Sequence, residues 1–211
     1  TTGIDEQTQN SLENAAKNQL AGQDDDMRTA EVSIDPETGA VRGYFGGWDG
    51  MGWDYASTGL QTGSVFKVFA LVAALEQDIP LSKQYSSDPY RAKGGLLVTN
   101  SDDESCGTCN LATALKMSLN TVYYRLMMDL DHQADDVKDA AQRLGISKTY
   151  DGKASLTSEA GNTEGGVVLG QYDSTVLDMA SAYATLAAEG IYRQPYFVQK
   201  VETATGDVLY D

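Results

Sequence analysis

Apolar residues recur at helical spacing in several segments of the chain. In residues 5–21 the apolar side chains fall roughly on one face, which predicts an amphipathic helix that ends near Gly22. Residues 64–77 repeat the pattern with valine, phenylalanine and leucine, and Pro80 limits this second helix on its C-terminal side. Further helices are predicted at residues 111–117, 121–130, 135–144 and 174–189.

Two other segments alternate apolar and polar residues, as half-buried strands do. Val32 and Ile34 precede the turn sequence of residues 35–39, and residues 41–45 return as a second strand, so a hairpin is predicted here. A second hairpin is predicted from residues 196–202 and 207–210. The order helix, strands, several helices, strands indicates an α/β fold of the α+β type, in which helices interrupt a sheet.

The net charge of the chain reduces the number of functions that it can have. Acidic residues outnumber basic residues by 31 to 15, which gives a formal net charge of -16. Binding to nucleic acid needs a basic surface, so we exclude it. The acidity is otherwise typical of solubility alone.

The chain shows no membrane-crossing or targeting segment of its own. Its longest apolar stretch, residues 65–75, contains Lys67 and is too short to cross a bilayer. A signal peptide would need a charged start and an apolar run, and neither is visible at Thr1. If the natural protein is secreted or anchored, we expect that segment outside this chain.

Two cysteines, Cys106 and Cys109, are separated by Gly-Thr. This spacing allows a small disulfide loop, half of a zinc site or a redox pair. Zinc would need two more ligands, and His132 is the only histidine. A thioredoxin-like pair would follow a strand, whereas residues 100–105 look like a polar loop. A local disulfide is favoured, which points to an oxidising extracytoplasmic compartment, and no metal or cofactor is expected.

Several common catalytic sites lack their motifs in this chain. His132 lies in a polar stretch that predicts an exposed side chain, so a serine–histidine–acid triad is not expected. The chain contains no Gly-x-Ser-x-Gly elbow and no glycine-rich phosphate loop. The carboxylates are too numerous for spacing to single out an acid–base pair. Nucleophilic catalysis without histidine leaves lysine as the natural base.

Ser64 and Lys67 form the only Ser-x-x-Lys in the chain. At helical spacing the two side chains lie one turn apart on the same face. The apolar residues around Lys67 are expected to bury its amine and lower its pKa, so that it accepts the serine proton near neutral pH. The helix start would also offer backbone N–H groups to a developing oxyanion. The plain alternative is an N-cap serine followed by a surface lysine.

Ser118-Leu119-Asn120 is the only Ser-x-Asn in the chain, and it falls between two predicted helices, where such residues often serve as caps. Beside a Ser-Lys pair, a second hydroxyl can relay a proton between the lysine and a leaving amine. An asparagine amide can donate to and accept from a peptide substrate while it holds the lysine. Ser64, Lys67, Ser118 and Asn120 are therefore the candidate catalytic residues.

Five segments resemble, in the same order, the transpeptidase domain of class A penicillin-binding proteins. Residues 63–77 are similar to the first active-site motif and the helix behind it, and residues 114–126 to the second motif. The other likenesses are residues 34–39, the pair Gly46-Gly47 and residues 177–187. The Cys-Gly-Thr-Cys run and residues 168–172 look most like actinobacterial members.

This resemblance implies a penicillin-binding protein/serine β-lactamase-like fold, an antiparallel sheet with an inserted helical subdomain. It also implies a D,D-transpeptidase, in which Ser64 attacks the penultimate D-alanine of a peptidoglycan stem peptide and the acyl group passes to an amine of a neighbouring stem. β-Lactam antibiotics would acylate the same serine. Lys67 would be the base, Ser118 the proton relay, and Asn120 the contact to substrate and lysine.

The third motif of the family, Lys-Thr/Ser-Gly, does not occur in the chain. Residues 1–211 are therefore expected to be a single transpeptidase domain that lacks its C-terminal strands or receives them from a second polypeptide segment. Residues 1–63 would form the N-terminal helix, first strands and loop, residues 64–190 the helical region, and residues 191–211 the start of the returning sheet.

Two other functions stay open at this point. One is a β-lactamase or D,D-carboxypeptidase on the same fold, in which water replaces the acceptor amine. The other is a non-catalytic penicillin-binding sensor module. The resemblance also implies the extracytoplasmic face of the bacterial plasma membrane, with a glycosyltransferase domain and an N-terminal anchor that are both absent from this chain.

Overall fold

The computed structural model describes residues 1–24, 26–48 and 52–210. Contacts between residues divide the chain into two compact units. The first contains Thr1–Gly59, Arg143–Ser147 and the residues from Ser174 onward, and the second contains Leu60–Gln142 and Lys148–Asp173. The assignment of the chain to one incomplete transpeptidase domain stays a prediction.

Helices and short strands alternate along the chain, which confirms the mixed α/β class. The described α-helices are α1 (Glu6–Leu20), α2 (Lys67–Glu76), α3 (Leu111–Lys116), α4 (Asn120–Asp129), α5 (Ala134–Leu144) and α6 (Val176–Ala187). Short 3-10 helices span Gly63–Phe66, Ser101–Asp103 and Gly165–Leu169. The described strands are β1 (Glu31–Ile34), β2 (Val41–Phe45), β3 (Leu60–Gln61), β4 (Gln84–Ser86), β5 (Tyr90–Arg91), β6 (Leu97–Val98), β7 (Thr108–Asn110), β8 (Thr149–Tyr150), β9 (Lys153–Ala154), β10 (Asp173–Ser174), β11 (Val201–Glu202) and β12 (Val208–Tyr210).

In the first unit the predicted hairpin forms between β1 and β2, antiparallel with Glu31 opposite Phe45. The alternation of β2 buries Val41, Gly43 and Phe45, and α1 packs against this strand. A Cβ on Gly43 would lie 2.7 Å from Leu12 Cδ1, so glycine allows the helix to approach the strand closely. The amphipathic helix predicted for residues 5–21 thus packs against β2.

The second hairpin of this unit is shorter than predicted, because only Val201 and Glu202 of the predicted strand 196–202 pair with β12. The start of the predicted strand has other partners: Tyr196 bridges Ala40 in parallel orientation, and Val198 bridges Thr2 in antiparallel orientation. Apolar alternation therefore identified extended chain correctly but not what it pairs with. Within the described residues the strands pair two by two, rather than as one continuous sheet.

In the second unit, α2 packs against α4, and the 3-10 helix Gly165–Leu169 contacts both. Both helices carry fully buried side chains, among them Phe69 of α2 and Leu126 of α4. Phe66 and Phe69 meet edge to face with ring centroids 4.5 Å apart. Burial of each such side chain contributes about 1.5–3 kcal/mol. This core fixes the first turns of α2 and α4, and those turns carry Lys67 and Asn120, two of the four candidate catalytic residues.

Candidate active site

Ser64 lies in the 3-10 helix Gly63–Phe66, and Lys67 is the first residue of α2. The helix predicted for residues 64–77 therefore differs in its first turn. In a 3-10 turn, residues three apart eclipse each other, so Lys67 extends directly over Ser64. The distance from Lys67 Nζ to Ser64 Oγ is 2.8 Å.

The turn before Ser64 lies against Gly170. Gly63 has a φ of +62°, and Gly170, which ends the 3-10 helix Gly165–Leu169, has a φ of +72°. The Gly63 N–H donates to the Gly170 carbonyl at 3.4 Å. A Cβ on Gly170 would overlap the Gly63 backbone and the Thr62 hydroxyl. The position of Ser64 thus depends on a glycine that is far away in the sequence.

Four oxygen atoms surround Lys67 Nζ. Besides Ser64 Oγ, they are Ser118 O at 2.6 Å, Ser118 Oγ at 3.0 Å and Asn120 Oδ1 at 2.7 Å. The carbonyl and amide oxygens can only accept hydrogen bonds, whereas the two hydroxyls can also donate. A neutral amine that donates its two N–H groups to the carbonyl and the amide keeps its lone pair for a hydroxyl. The site therefore directs that lone pair at Ser64 or Ser118.

The Lys67 side chain is fully buried, with 0% of its surface exposed. Burial disfavours the charged ammonium and lowers the pKa of the Lys67 amine to about 8. A large fraction of molecules therefore carries the neutral amine slightly above neutral pH. This is the protonation state that a general base needs.

Ser118 adopts a left-handed backbone conformation between α3 and α4, with a φ of +55°. For a residue with a Cβ this conformation costs about 1–2 kcal/mol. It turns both the carbonyl and the hydroxyl of Ser118 toward Lys67 Nζ. Strain of this kind persists only where surrounding contacts determine the backbone.

Asn120 is the first residue of α4, and its Nδ2 donates to the Thr99 carbonyl at 3.0 Å. Because the amide nitrogen must face this carbonyl, the amide oxygen must face Lys67. Thr99 was not singled out by the sequence, since it contributes a backbone atom and lies in a stretch without a motif. The four predicted residues come together in the second unit, and Thr99 joins them.

The cysteines and the histidine lie outside the cluster around Lys67. Cys106 and Cys109 form a disulfide, which agrees with the favoured alternative. His132 contacts Asp136 and its side chain is 78% exposed, as predicted. In residues 1–24, 26–48 and 52–210 no group of three or more histidine, cysteine or acidic side chains is placed to hold a metal ion. The same residues contain no helix with the length and apolar character required to traverse a bilayer.

Residues 29–209 match a family model described as the penicillin binding protein transpeptidase domain. The chain belongs to this family. It is 56% identical to penicillin-binding protein 1A of Mycobacterium tuberculosis, an alignment that covers 100% of the chain and 26% of that protein. It is 52% identical to penicillin-binding protein 1A of Mycolicibacterium smegmatis, covering 100% of the chain and 27% of that protein. These relatives confirm the predicted class A, actinobacterial affinity, and the chain spans about a quarter of their length.

Solved structures agree with the family assignment. The penicillin-binding protein PonA1 from Mycobacterium tuberculosis superposes with a TM-score of 0.96 at 56% identity, covering 100% of this chain and 55% of that one. PonA1 in complex with penicillin V gives the same TM-score and identity, covering 100% of this chain and 57% of that one. Penicillin-binding protein A from the same organism shares the fold, with a TM-score of 0.82 at 21% identity over 99% of this chain and 56% of that one. The predicted penicillin-binding protein fold is confirmed.

We predict that Lys67 titrates near pH 8, because burial penalises its ammonium form. NMR of protein with ¹³C-labelled lysine side chains would follow each amine across pH 6–12, and loss of one signal in Lys67→Arg assigns the resonance. The pKa value of lysine in model peptides, about 10.4, serves as the reference. A Lys67 signal that titrates near this value would contradict the prediction.

The same pKa shift makes stability depend on pH. The amine binds its proton more weakly in the folded protein, with a pKa of about 8 against the ordinary lysine value of 10.5. Between these values the unfolded chain binds more protons, so the free energy of unfolding rises with pH. The gain is on the order of 3 kcal/mol, and below pH 8 the contribution is flat. Chemical denaturation at several pH values should show this rise in the native protein and not in Lys67→Met.

Proposed function

We propose that this chain is the acyl-transfer part of a peptidoglycan D,D-transpeptidase that works through an ester on Ser64 and is inhibited covalently by β-lactams. The observation that carries the proposal is the environment of the Lys67 amine. Its nitrogen lies 2.8 Å from Ser64 Oγ, and its N–H groups have two obligate acceptors in Ser118 O and Asn120 Oδ1. A buried amine in this arrangement can take the Ser64 proton.

In the first half-reaction, Lys67 removes the hydroxyl proton while Ser64 Oγ attacks the carbonyl carbon of the penultimate D-alanine. The tetrahedral intermediate collapses as the bond to the last D-alanine breaks. Ser118 donates its hydroxyl proton to the leaving amine and recovers one from Lys67, since its Oγ lies 3.0 Å from Lys67 Nζ. The products are free D-alanine, a neutral lysine and an ester on Ser64.

In the second half-reaction, an amine of a neighbouring stem peptide attacks the ester. Its proton passes through Ser118 and Lys67 to Ser64 Oγ, which leaves as the hydroxyl. The same three groups therefore transfer protons in the reverse direction. A β-lactam enters by the first route, but its expelled nitrogen stays attached to the acyl group. The acyl-enzyme then lacks a vacated acceptor site, which accounts for covalent inhibition.

Several findings support this proposal beyond the geometry. The relatives are penicillin-binding proteins 1A, and PonA1 has been solved with penicillin V. We place the domain on the extracytoplasmic side of the plasma membrane, where peptidoglycan stem peptides are found and where a disulfide such as Cys106–Cys109 is stable. We assign the strand with Lys-Thr/Ser-Gly, the glycosyltransferase domain and the membrane anchor to other parts of the whole protein.

We predict that a penicillin acylates Ser64 of the full-length protein. Below pH 8 the rate should fall about tenfold per pH unit, because the base must be neutral and the pKa of Lys67 is about 8. Intact mass and peptide mapping would locate the adduct. Ser64→Ala should give none, Lys67→Ala should react about 10²- to 10⁴-fold more slowly, and Ser82→Ala, at an exposed serine, should match the native rate. An adduct that persists in Ser64→Ala would overturn the assignment of the nucleophile.

We also predict that the acyl-enzyme transfers to amines in preference to water. A peptide donor ending in D-Ala-D-Ala would be supplied with a D-amino acid acceptor, and the ratio of transfer product to hydrolysis product measured by mass spectrometry. The ratio should rise with acceptor concentration. Hydrolysis of the peptide alone would identify a carboxypeptidase, and hydrolysis of penicillin without turnover of the peptide would identify a β-lactamase. Stable penicillin binding without turnover of the peptide would identify a sensor module.

The glycine contact beside the nucleophile gives a further prediction. Gly170→Ala should slow acylation by about tenfold or more, since its Cβ overlaps the backbone next to Ser64. Gly152→Ala is the matched control: Gly152 has the same φ of +72°, and a Cβ at this position would have no atom within 4 Å. Both variants carry the same backbone strain, so equal acylation rates would show that the contact does not position Ser64.

A further inference from the structure

Helix α4 begins without a cap of its own. Its N-cap residue is Leu119, whose apolar side chain cannot accept a hydrogen bond, and no side-chain cap forms there. The first N–H groups of a helix need partners from outside the helix. For Thr121 that partner comes from elsewhere in the chain: its N–H donates at 3.0 Å to Oδ1 of Asn100, 21 residues earlier.

Both the nitrogen and the oxygen of the Asn100 amide make hydrogen bonds. Its Nδ2 donates to the Ser87 carbonyl at 3.0 Å and to the Glu104 carbonyl at 2.9 Å. Since both partners can only accept, the nitrogen must face them, and the oxygen is left to cap α4. The Thr121 hydroxyl lies 3.1 Å from the same oxygen. Asn100 is therefore fixed in one orientation.

The neighbouring residue completes the connection to the catalytic cluster. The Thr99 carbonyl accepts from Asn120 Nδ2 at 3.0 Å, and this directs Asn120 Oδ1 to Lys67 Nζ at 2.7 Å. Residues 99 and 100 thus hold both the start of α4 and the amide of its first residue. If Asn100 released α4, Asn120 and the Thr99 carbonyl would no longer be held in register.

We infer that Asn100 is a positioning residue for acyl transfer, acting through Asn120 on the Lys67 amine. The inference rests on the proposed function. Asn120 Oδ1 is one of the two obligate acceptors that leave the amine lone pair for a hydroxyl. When this acceptor is displaced, Ser118 O is the one obligate acceptor left, so the amine can rotate about that hydrogen bond and its lone pair faces Ser64 only part of the time. The Asn100 side chain is hydrogen-bonded to Ser87, Glu104 and Thr121, none of which is a candidate catalytic residue.

The test uses the full-length protein and a penicillin, with binding and acylation separated by stopped-flow kinetics. Asn100→Ala should lower the acylation rate constant by about tenfold to a hundredfold, the range expected for a misplaced catalytic group. The dissociation constant of the non-covalent complex should change less than about twofold, because no contact to the ligand is lost. A loss confined to binding would overturn the inference.

Asn110→Ala is the matched control. Asn110 also caps a helix of the second unit, since its Oδ1 accepts from the Thr113 N–H at 2.9 Å at the start of α3. Its loss removes an asparagine cap without freeing Asn120, so acylation should stay near the native rate. If Asn100→Ala and Asn110→Ala react equally fast, Asn100 has only a structural role.

A double-mutant cycle tests whether Asn100 acts through Asn120. Once Asn120→Ala has removed the amide, Asn100→Ala should have no further effect beyond about twofold, because residues that act as a unit are not additive. An undiminished further loss would overturn the inference. Should Asn100→Ala not fold, Asn100→Leu replaces it, since leucine has nearly the shape of asparagine but can neither accept from the Thr121 N–H nor donate. An Asn100→Leu protein that reacts at the native rate would refute the inference.

The native protein separates this inference from the proposed function. If native protein gives no penicillin adduct on Ser64, the proposed function fails and Asn100 has nothing to position. If native protein is acylated normally and the Asn100 variants are too, only the inference fails.

Discussion

A lysine amine buried away from water must find acceptors for its N–H groups, and the second unit of this protein is organised around that requirement. An isolated ammonium in such surroundings is costly, so the amine loses its proton easily. What then matters is where the remaining N–H groups point. Ser118 O and Asn120 Oδ1 take them, and the lone pair is left facing a hydroxyl. Burial thus lowers the pKa of the Lys67 amine, and the acceptors that burial requires direct its lone pair.

The sequence predicted the members of the cluster better than the way they are held. Helical periodicity and the unique Ser-x-x-Lys and Ser-x-Asn spacings selected the four residues as candidates, and the resemblance to penicillin-binding proteins supported that selection. The 3-10 turn at Ser64 and the left-handed backbone of Ser118 were not predicted, because both depend on contacts with distant segments. Thr99 could not be found from any motif, since it acts through its backbone.

The disulfide that the cysteine spacing favoured is present in the structure, whereas the pairing of the last strands differs from the prediction for the same reason. In the last hairpin, alternation indicated extended chain, but Tyr196 and Val198 bridge Ala40 and Thr2 instead of a local partner. Local patterns predict whether a segment is helical or extended, and long-range contacts decide which segment it pairs with.

The acceptors that hold the Lys67 amine, Ser118 O and Asn120 Oδ1, have a consequence for antibiotic resistance under the proposed mechanism. Stem peptides and β-lactams would rely on Lys67 as a shared base. A substitution that removes an acceptor of its N–H groups would therefore slow both reactions together. A bacterium would gain tolerance to the drug there only by slowing its own wall synthesis. Selection would therefore favour changes at the surfaces where the two ligands differ in shape, and leave this buried amine and its acceptors untouched.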